Sequence, residues 1–383
     1  MGWLKASKES EKDRFIDDWL TREFTISELC KRYGISRPTG YDLIDRFNEE
    51  GRLAVKERSR ARHVITNKTS DKIQKKLIEL KHRYPNWGPA TIKSYLEAEE
   101  IPGAWPAVST IGEIFKRHGL VKPRKKRKYA PAHSEPLRHC QKPNQVWSAD
   151  FKGQFYLRNG KYCYPLTITD NYSRYLLLCE GMSSPNCDQT IKCFEKVFRK
   201  HGLPEAIRTD NGQPFAGAGI SGLTRLSIWF LKLGITPERI ESGHPEQNGR
   251  HERMHRTLKE AACIPYSRTM KEQQICFNKF KREFNNKRPH QGLEGKRPAE
   301  IHTDSSREMP RKLSEMEYPD KYVIRKVRST GEIKFAGKAF YLSELLYKES
   351  IGLEMIDEDR AIVYFSKLKL GMIDARLDKI RRP

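Results

Sequence analysis

The run QVWSADFKGQFYL, residues 145–157, decides how this chain divides. Its β-branched and aromatic residues read as a strand, and the strand carries Asp150 between Trp147 and Phe151. A carboxylate inside an apolar strand is costly unless it has a partner or faces a solvated edge. Everything before this run reads as short basic helices. Everything after it alternates strand and helix.

Downstream, residues 162–181 (YCYPLTITDNYSRYLLLCEG) read as two strands joined at Asp170-Asn171, with Asp170 as a turn cap. Residues 188–204 form an amphipathic helix with Ile191, Phe194 and Phe198 inward, stopping near Gly202 and Pro204. AIRTDNGQPF is a short strand ending at Asp210. A helix follows in GLTRLSIWFLKLGI, then a short strand in TPERI, a helix from about Asn248, and a long basic helix over residues 269–293. Three strands, helix, strand, helix, strand, helix is an α/β layout with a mixed sheet. The tail from about Tyr322 is dense in β-formers with turn signals at residues 329–331, Gly337 and 357–359, which predicts a small all-β, barrel-like domain.

Upstream, residues 14–51 read as three helices. Ile26, Leu29 and Tyr33 share a helical face, Gly34 breaks the second helix, and Ser36 with Pro38 opens the third. Tyr41, Ile44 and Phe47 are expected to face inward. This is a helix-turn-helix pattern, and Arg37, Thr39 and Tyr41 on its last helix are placed to meet a major groove. A second helical unit spans DKIQKKLIELKHRY, GPATIKSYLEAEE and VSTIGEIFKRHGL, with Ile73, Leu77 and Leu80 inward and Ser109 as the expected cap of its last helix. Then comes a proline-containing cationic linker, in which Arg124, Lys125, Lys126, Arg127 and Lys128 can track a phosphate backbone. The expected domains are 1–60 and 61–121 (helix-turn-helix modules), 122–143 (linker), 144–302 (α/β core) and 320–383 (β domain).

Among 383 residues, 73 Lys and Arg against 49 Asp and Glu give a net charge of +24, which calls for a polyanionic partner. No run approaches the ~18 apolar residues of a membrane span, and the first residues lack a signal-peptide core. A cytosolic nucleic-acid binder is expected. The eight cysteines contain no C-x-x-C pair and read as reduced core residues. His133, His139 and Cys140 lack the second pair that a zinc site requires.

Three carboxylates stand on separate elements of the α/β region. Asp150 lies in a strand, Asp210 at a strand end before the Asn211-Gly212 turn, and Glu252 in the first turns of a helix entered through HPEQNG. Ends of strands are where α/β sheets place their sites. Three close carboxylates repel one another, and divalent cations reverse that balance. Mg²⁺ prefers oxygen ligands, and two such ions ~3.5–4 Å apart can promote in-line displacement at a phosphodiester. No nucleophile-base triad is evident.

The segments VWSADF, RTDNGQPF and HPEQNGRHERMHRTLK together resemble the retroviral-integrase-like DDE superfamily, most closely bacterial insertion-sequence transposases. TITDNYSRY, NKRPHQGLEGKRPAE and SELCKRYGISRPTGY resemble them as well. The resemblance implies an RNase H-like core with Asp150, Asp210 and Glu252 as catalytic, metal-holding residues. It also implies two Mg²⁺ ions, replaceable by Mn²⁺, and a DNA transposase that cuts element ends and joins them to target DNA. A homodimer or larger assembly on DNA, in the bacterial cytoplasm with the nucleoid, is expected. Lys259 resembles the family's DNA-contacting lysine, and Arg250 and Arg256 are expected phosphate contacts, with His255 beside them. Of the glutamates in residues 242–262, Glu246 is expected to be solvated. Glu260, roughly 80° round the helix and about 12 Å along it from Glu252, is expected to stand apart. The chain departs from the retroviral pattern in two ways. The Asp210-to-Glu252 interval is longer, with the excess in AGAGISGLTRLSIWF, and the zinc-binding N-terminal domain is absent. A metal-dependent nuclease without strand transfer and a DNA-binding regulator that has lost catalysis are the alternatives.

Overall fold

The structure is a computed structural model and describes residues 8–56, 69–121, 140–217, 219–240 and 249–381. The linker residues Arg124 to Lys128, His133 and His139, and Glu246 with Asn248 lie outside the described residues. The chain forms two compact units, residues 1–68 and 69–383.

The first unit holds α1 (Lys8–Leu20), α2 (Ile26–Arg32) and α3 (Arg37–Glu50). Thr25 and Glu28 form a capping box at the start of α2. The Ser36 hydroxyl accepts the Thr39 N–H at 3.4 Å and so caps α3. Gly34, at φ 67°, turns the chain between the two helices. The core is Phe15, Ile16, Leu29, Cys30, Leu43 and Ile44. Tyr41, expected inward, is instead 51% exposed. The inward stripe of α3 starts at Gly40, where a Cβ would come within 2.6 Å of the Cys30 sulfur. That close approach fixes the rotation of α3 and turns Tyr41 to solvent.

The second unit opens with α4 (Asp71–Arg83), α5 (Pro89–Ala98) and α6 (Val108–Arg117). They share a core that includes Leu77, Leu80, Ile92, Leu96, Ile111 and Phe115. Ser109 is not the cap of α6: the helix starts at Val108, with Ala107 as an N-cap that makes no side-chain bond.

The α/β core follows. Its strands are β1 (Val146–Phe151), β2 (Phe155–Tyr156), β3 (Tyr162–Asp170), β4 (Leu176–Met182), β5 (Ala206–Thr209) and β6 (Thr236–Arg239). The order is β2-β3-β1-β5-β6, with β4 also pairing β3. β1 runs antiparallel to β3 and parallel to β5, so the sheet is mixed and β1 is central. One face packs on α7 (Cys187–His201) and α8 (Arg225–Lys232), through Trp147, Leu166, Ile168, Phe194, Phe198 and Phe230. The other is covered by α9 (Gly249–Leu258) and α10 (Met270–Asn286), through Leu176, Cys179, Met254, Leu258, Phe277 and Phe280. A short α11 (Pro298–Ile301) follows. As expected, Asp170 caps its turn: it is buried and accepts the Asn144 N–H at 3.0 Å and the Ser173 N–H at 2.8 Å.

The tail contains β7 (Tyr322–Lys326), β8 (Glu332–Phe335), β9 (Lys338–Tyr341), β10 (Ser350–Met355), β11 (Arg360–Phe365), β12 (Leu368–Asp374) and β13 (Lys379–Arg381). It is all-β but not a closed barrel. An open antiparallel sheet of order β13-β12-β11-β10-β7 stands beside a separate β8-β9 hairpin. Hairpin and sheet share one core through Ile333, Phe335, Phe340, Leu353, Val363 and Phe365, so burial is achieved by covering the sheet rather than by curling it shut. Ile220, Leu223, Ile228 and Leu231 belong to that same core, and Lys232 pairs with Glu349 at 2.7 Å. The surplus between Asp210 and Glu252 is therefore the platform on which the β domain sits. Cysteines 30, 163, 179, 193 and 263 are buried as free thiols, whereas Cys276 is exposed rather than in the core. No helix of the described residues is long and apolar enough to cross a membrane.

Candidate active site

The period-two pleat of β1 sorts its side chains. Trp147, Ala149 and Phe151 go to the apolar face beneath α7 and α8. Ser148 and Asp150 go to the opposite face, towards α9. β3 repeats the division: Leu166 and Ile168 enter the apolar core, while Thr167 and Thr169 meet α9. On α9 the inward positions are His251, Met254, His255 and Leu258, at i, i+3, i+4 and i+7.

Met254 and Leu258 of α9 pack on apolar residues of the sheet, but its contact through His251 and His255 is polar. Thr167 Oγ1 lies 2.7 Å from Nε2 of both His251 and His255, and its hydroxyl donates to the Asp150 carbonyl at 3.1 Å. That single hydroxyl proton is thereby used, so both histidines donate Nε2–H to Thr167. His251 Nδ1 then accepts the Thr169 hydroxyl at 2.9 Å. His255 is left with a bare Nδ1, 3.7 Å from Asp150 Oδ2. Both rings are neutral. Burial holds His255 down to about 3, and it holds the fully enclosed His251 well below the usual imidazole range. His255 is thus not a surface phosphate contact but a strut between α9 and the sheet.

Asp150 is mostly buried, with its side chain 18% exposed. Burial, then the negative charge of Asp210, then that of Glu252 push its carboxyl up to about 7; the Phe151 N–H and Lys152 act the other way. Three acids from three elements thus lie within electrostatic reach of one another. Asp210 follows the end of β5, and its Oδ1 is buried without a hydrogen-bond partner among the described residues. Gly212 leaves it room, since a Cβ there would stand 3.0 Å from Asp210 Oδ2. Glu252 is exposed in the first turn of α9.

This donor set fits hard divalent cations. It is all oxygen, it includes a buried oxygen lacking a partner, and burial together with the charges of Asp210 and Glu252 lifts Asp150 into the neutral range. Asp150, His251 and His255 also offer ligand atoms within 4.8 Å of one another. Both His251 nitrogens are spent on threonine hydroxyls, however, so that trio provides at most two free donors.

The other expected contacts are dispersed. Arg37 and Thr39 are exposed at the start of α3, as is Tyr41. Arg250 donates to the Asn171 carbonyl at 3.2 Å. Arg256 is exposed, and Lys259 is exposed on the single π-helical turn that continues α9. Glu260 is exposed on that turn and acts electrostatically on Arg288 rather than on Asp150. Sequence reasoning missed His251, Thr167 and Thr169. Their signal was a histidine pair at i, i+4 opposite a threonine pair at i, i+2.

The mixed sheet with helices on both faces is an α/β core, and the comparisons say which kind. Residues 141–245 match the integrase core domain, and residues 233–298 match a second integrase core description. Residues 11–63 match a helix-turn-helix domain and residues 39–115 a homeodomain-like domain. An uncharacterized 31.7 kDa protein of insertion element IS407 from Burkholderia multivorans is 26% identical over 59% of this chain and 79% of its own length. An uncharacterized 39.2 kDa protein of insertion element IS476 from Xanthomonas euvesicatoria is 24% identical over 74% of this chain and 80% of its own. The catalytic core domain of HTLV-2 integrase in complex with magnesium covers 43% of this chain and 99% of its own at 18% identity, with a TM-score of 0.34. The chain thus carries integrase core domains behind helix-turn-helix domains and resembles the insertion-sequence transposases of the DDE/integrase superfamily.

Proposed function

We propose that this protein binds the terminal inverted repeats of its own mobile element, cleaves the DNA at each end and joins the freed 3′-hydroxyl to target DNA. Asp150, Asp210 and Glu252 are the catalytic carboxylates of this reading, and they would hold two Mg²⁺ ions, or Mn²⁺ in their place. The carrying observation is the effect of Asp210 and Glu252 on Asp150: acids far apart in sequence raise its affinity for a proton. When bound, the ions would activate the attacking oxygen and stabilise the leaving one. The chain's own part is positional. The β1 backbone fixes Asp150, and Thr167 ties that backbone to α9 through His251 and His255. α9 in turn carries Glu252 on its exposed side. Helix α3, with Arg37, Thr39 and Tyr41 outward, would read the element end; the linker cations Arg124 to Lys128 and Arg250, Arg256 and Lys259 would contact phosphates. Holding two ends together requires a dimer or larger assembly on DNA.

The test is a product assay with linear DNA carrying the element ends, a target plasmid and Mg²⁺. Joined product that disappears in excess chelator is expected. Cut DNA without joined DNA would favour the nuclease reading, and bound but uncut DNA the regulator. Residues 1–68, a compact unit with its own core, are expected to bind element ends in preference to random DNA, with affinity falling steeply as salt rises. Equal affinity for both DNAs contradicts end recognition by α3.

A further inference from the structure

The β3–β4 turn, the outer side of α9, the segment after α10 and the start of α5 enclose a cleft of about 400 Å³. Five arginines line it: Arg174, Arg250, Arg253, Arg256 and Arg288. Among the described residues, none of the five has a carboxylate within ion-pair distance. The one acid on the wall is Asp170; its oxygens accept from Asn144 and Ser173, and it acts on Arg174 only through space, less than Arg250 and Arg253 do. Glu260 reaches Arg288 only through space. The crowding is felt: burial, then Arg250 and Arg253, bring Arg174 down to about 10, and burial and Arg256 lower Arg288. Arginine does not give up its proton at neutral pH, so an anion is what relieves this repulsion.

Independent features of the wall point to an acceptor-rich ligand. Asn171 is 4% exposed, its Oδ1 accepts from Ser148, and its Nδ2 has no partner among the described residues. The ten-residue α5 begins on the cleft at Gly88, and no side chain caps it; such a helix start favours an anion. The walls are tied together, since Arg297 pairs with Glu99 at 2.7 Å and donates to the Asn286 carbonyl at 3.3 Å.

We propose that this cleft seats a run of DNA phosphodiesters from one strand of the element end, with Arg174 and Arg288 as its inner phosphate contacts. This rests on the transposase reading above. Five cations exceed what one small phosphate would neutralise, whereas a backbone supplies one charge per nucleotide. The cleft also has α5 of the second helical module on one wall and, on another, the helix that bears Glu252. A strand held there passes from the helical module to the carboxylates.

The experiment is phosphate-interference mapping with the full chain in Ca²⁺, where binding is read without chemistry. End DNA carrying single neutral methylphosphonates is titrated with wild type and with Arg174→Gln/Arg288→Gln. Wild type is expected to lose affinity at two or more neighbouring phosphates near the cleavage site. The double variant is expected to show no further loss at those positions, with its salt slope shallower by about 1–2. Arg288→Lys retains the charge and should keep the wild-type map. If the double variant melts early, Arg253→Gln, an exposed member of the same wall, is expected to erase sensitivity at an adjacent phosphate. An unchanged map and slope in a folded variant overturns the proposal. Failure of the transposase reading would look different: wild type would join no ends in Mg²⁺, whatever its map.

Discussion

The two faces of strands β1 and β3 are built from alternate residues of the same ten or so positions, yet they do opposite work. Under α7 and α8, Trp147, Ala149, Leu166 and Ile168 are fully buried and purely apolar. Under α9, Thr167, Thr169 and His251 are just as buried and purely polar, with Asp150 at their edge. The apolar face stabilises the sheet by area removed from water. The polar face contributes little net stability, because its hydrogen bonds replace bonds to water. What it supplies is position: every proton in the network has one place to go, so α9 has one rotation and Glu252 one approach.

The comparison can be broken first on the apolar side. Trp147→Ala is expected to cost roughly 3–5 kcal/mol, a large share of any domain's stability. It should appear as a lower melting temperature and poor recovery of soluble protein. Thr167→Val on the polar face removes the acceptor of two buried imidazole N–H groups, at about 1–3 kcal/mol each if both are left unpaired. The variant is expected to fold and bind ends but to cut them slowly, because Asp150 and α9 lose their link. If Thr167→Val cuts at the wild-type rate, the polar network is packing and not positioning.

Acid and base separate the two kinds of buried group. The Asp150 carboxyl, ordinarily near 3.8, is raised to about 7 in the fold. Between these values the folded chain holds a proton that the unfolded chain has lost, so metal-free stability rises as pH falls through 7 towards 4. Asp150→Asn is therefore expected to melt above wild type at pH 8 without metal, by on the order of 1–3 kcal/mol, and the gap should shrink on acidification. His255 and His290 work in the other direction. They are lowered from 6.5 to about 3 and about 4, so their contribution is present above pH 6.5 and lost as pH falls below it. In Asp150→Asn only this limb remains, and melting temperature should fall steadily from pH 6.5 to 4. A variant that melts below wild type at pH 8 would mean that burial and the neighbouring carboxylates do not strain the Asp150 charge.

The apolar face was legible because hydrophobic periodicity reports burial, and Phe194, Phe198, Ile26 and Leu29 were found by it. The polar face was legible only in part. Asp150 stood out as an acid in an apolar strand, but His251 and Thr167 look like ordinary surface residues until the helix is set against the strand. Tyr41 was misread because the inward stripe of α3 begins at a glycine, which no hydrophobicity scale detects. The closed barrel failed because closure is non-local: the Gly337 turn marks the local β8–β9 hairpin, but nothing in the sequence tells that hairpin to stand apart and cover the sheet rather than join its edge. The long Asp210-to-Glu252 interval gave no hint that Ile228 and Leu231 serve a second core, since α8 is apolar on two faces at once.

The account's central claim is that Glu252, and no neighbouring glutamate, completes a site with Asp150 and Asp210. The most direct measurement is the rate of end cleavage in Mg²⁺ by Glu252→Gln and Glu260→Gln beside wild type, at matched DNA occupancy. Both are exposed, Glu252 in the first turn of α9 and Glu260 on the π-helical turn that follows the helix, so neither change disturbs the core. Glu252→Gln is expected to bind ends normally and to lose cleavage by several orders of magnitude, a loss of more than about 4 kcal/mol in transition-state stabilisation, while Glu260→Gln stays near wild type. Normal cleavage by Glu252→Gln, with loss in Glu260→Gln, would contradict it.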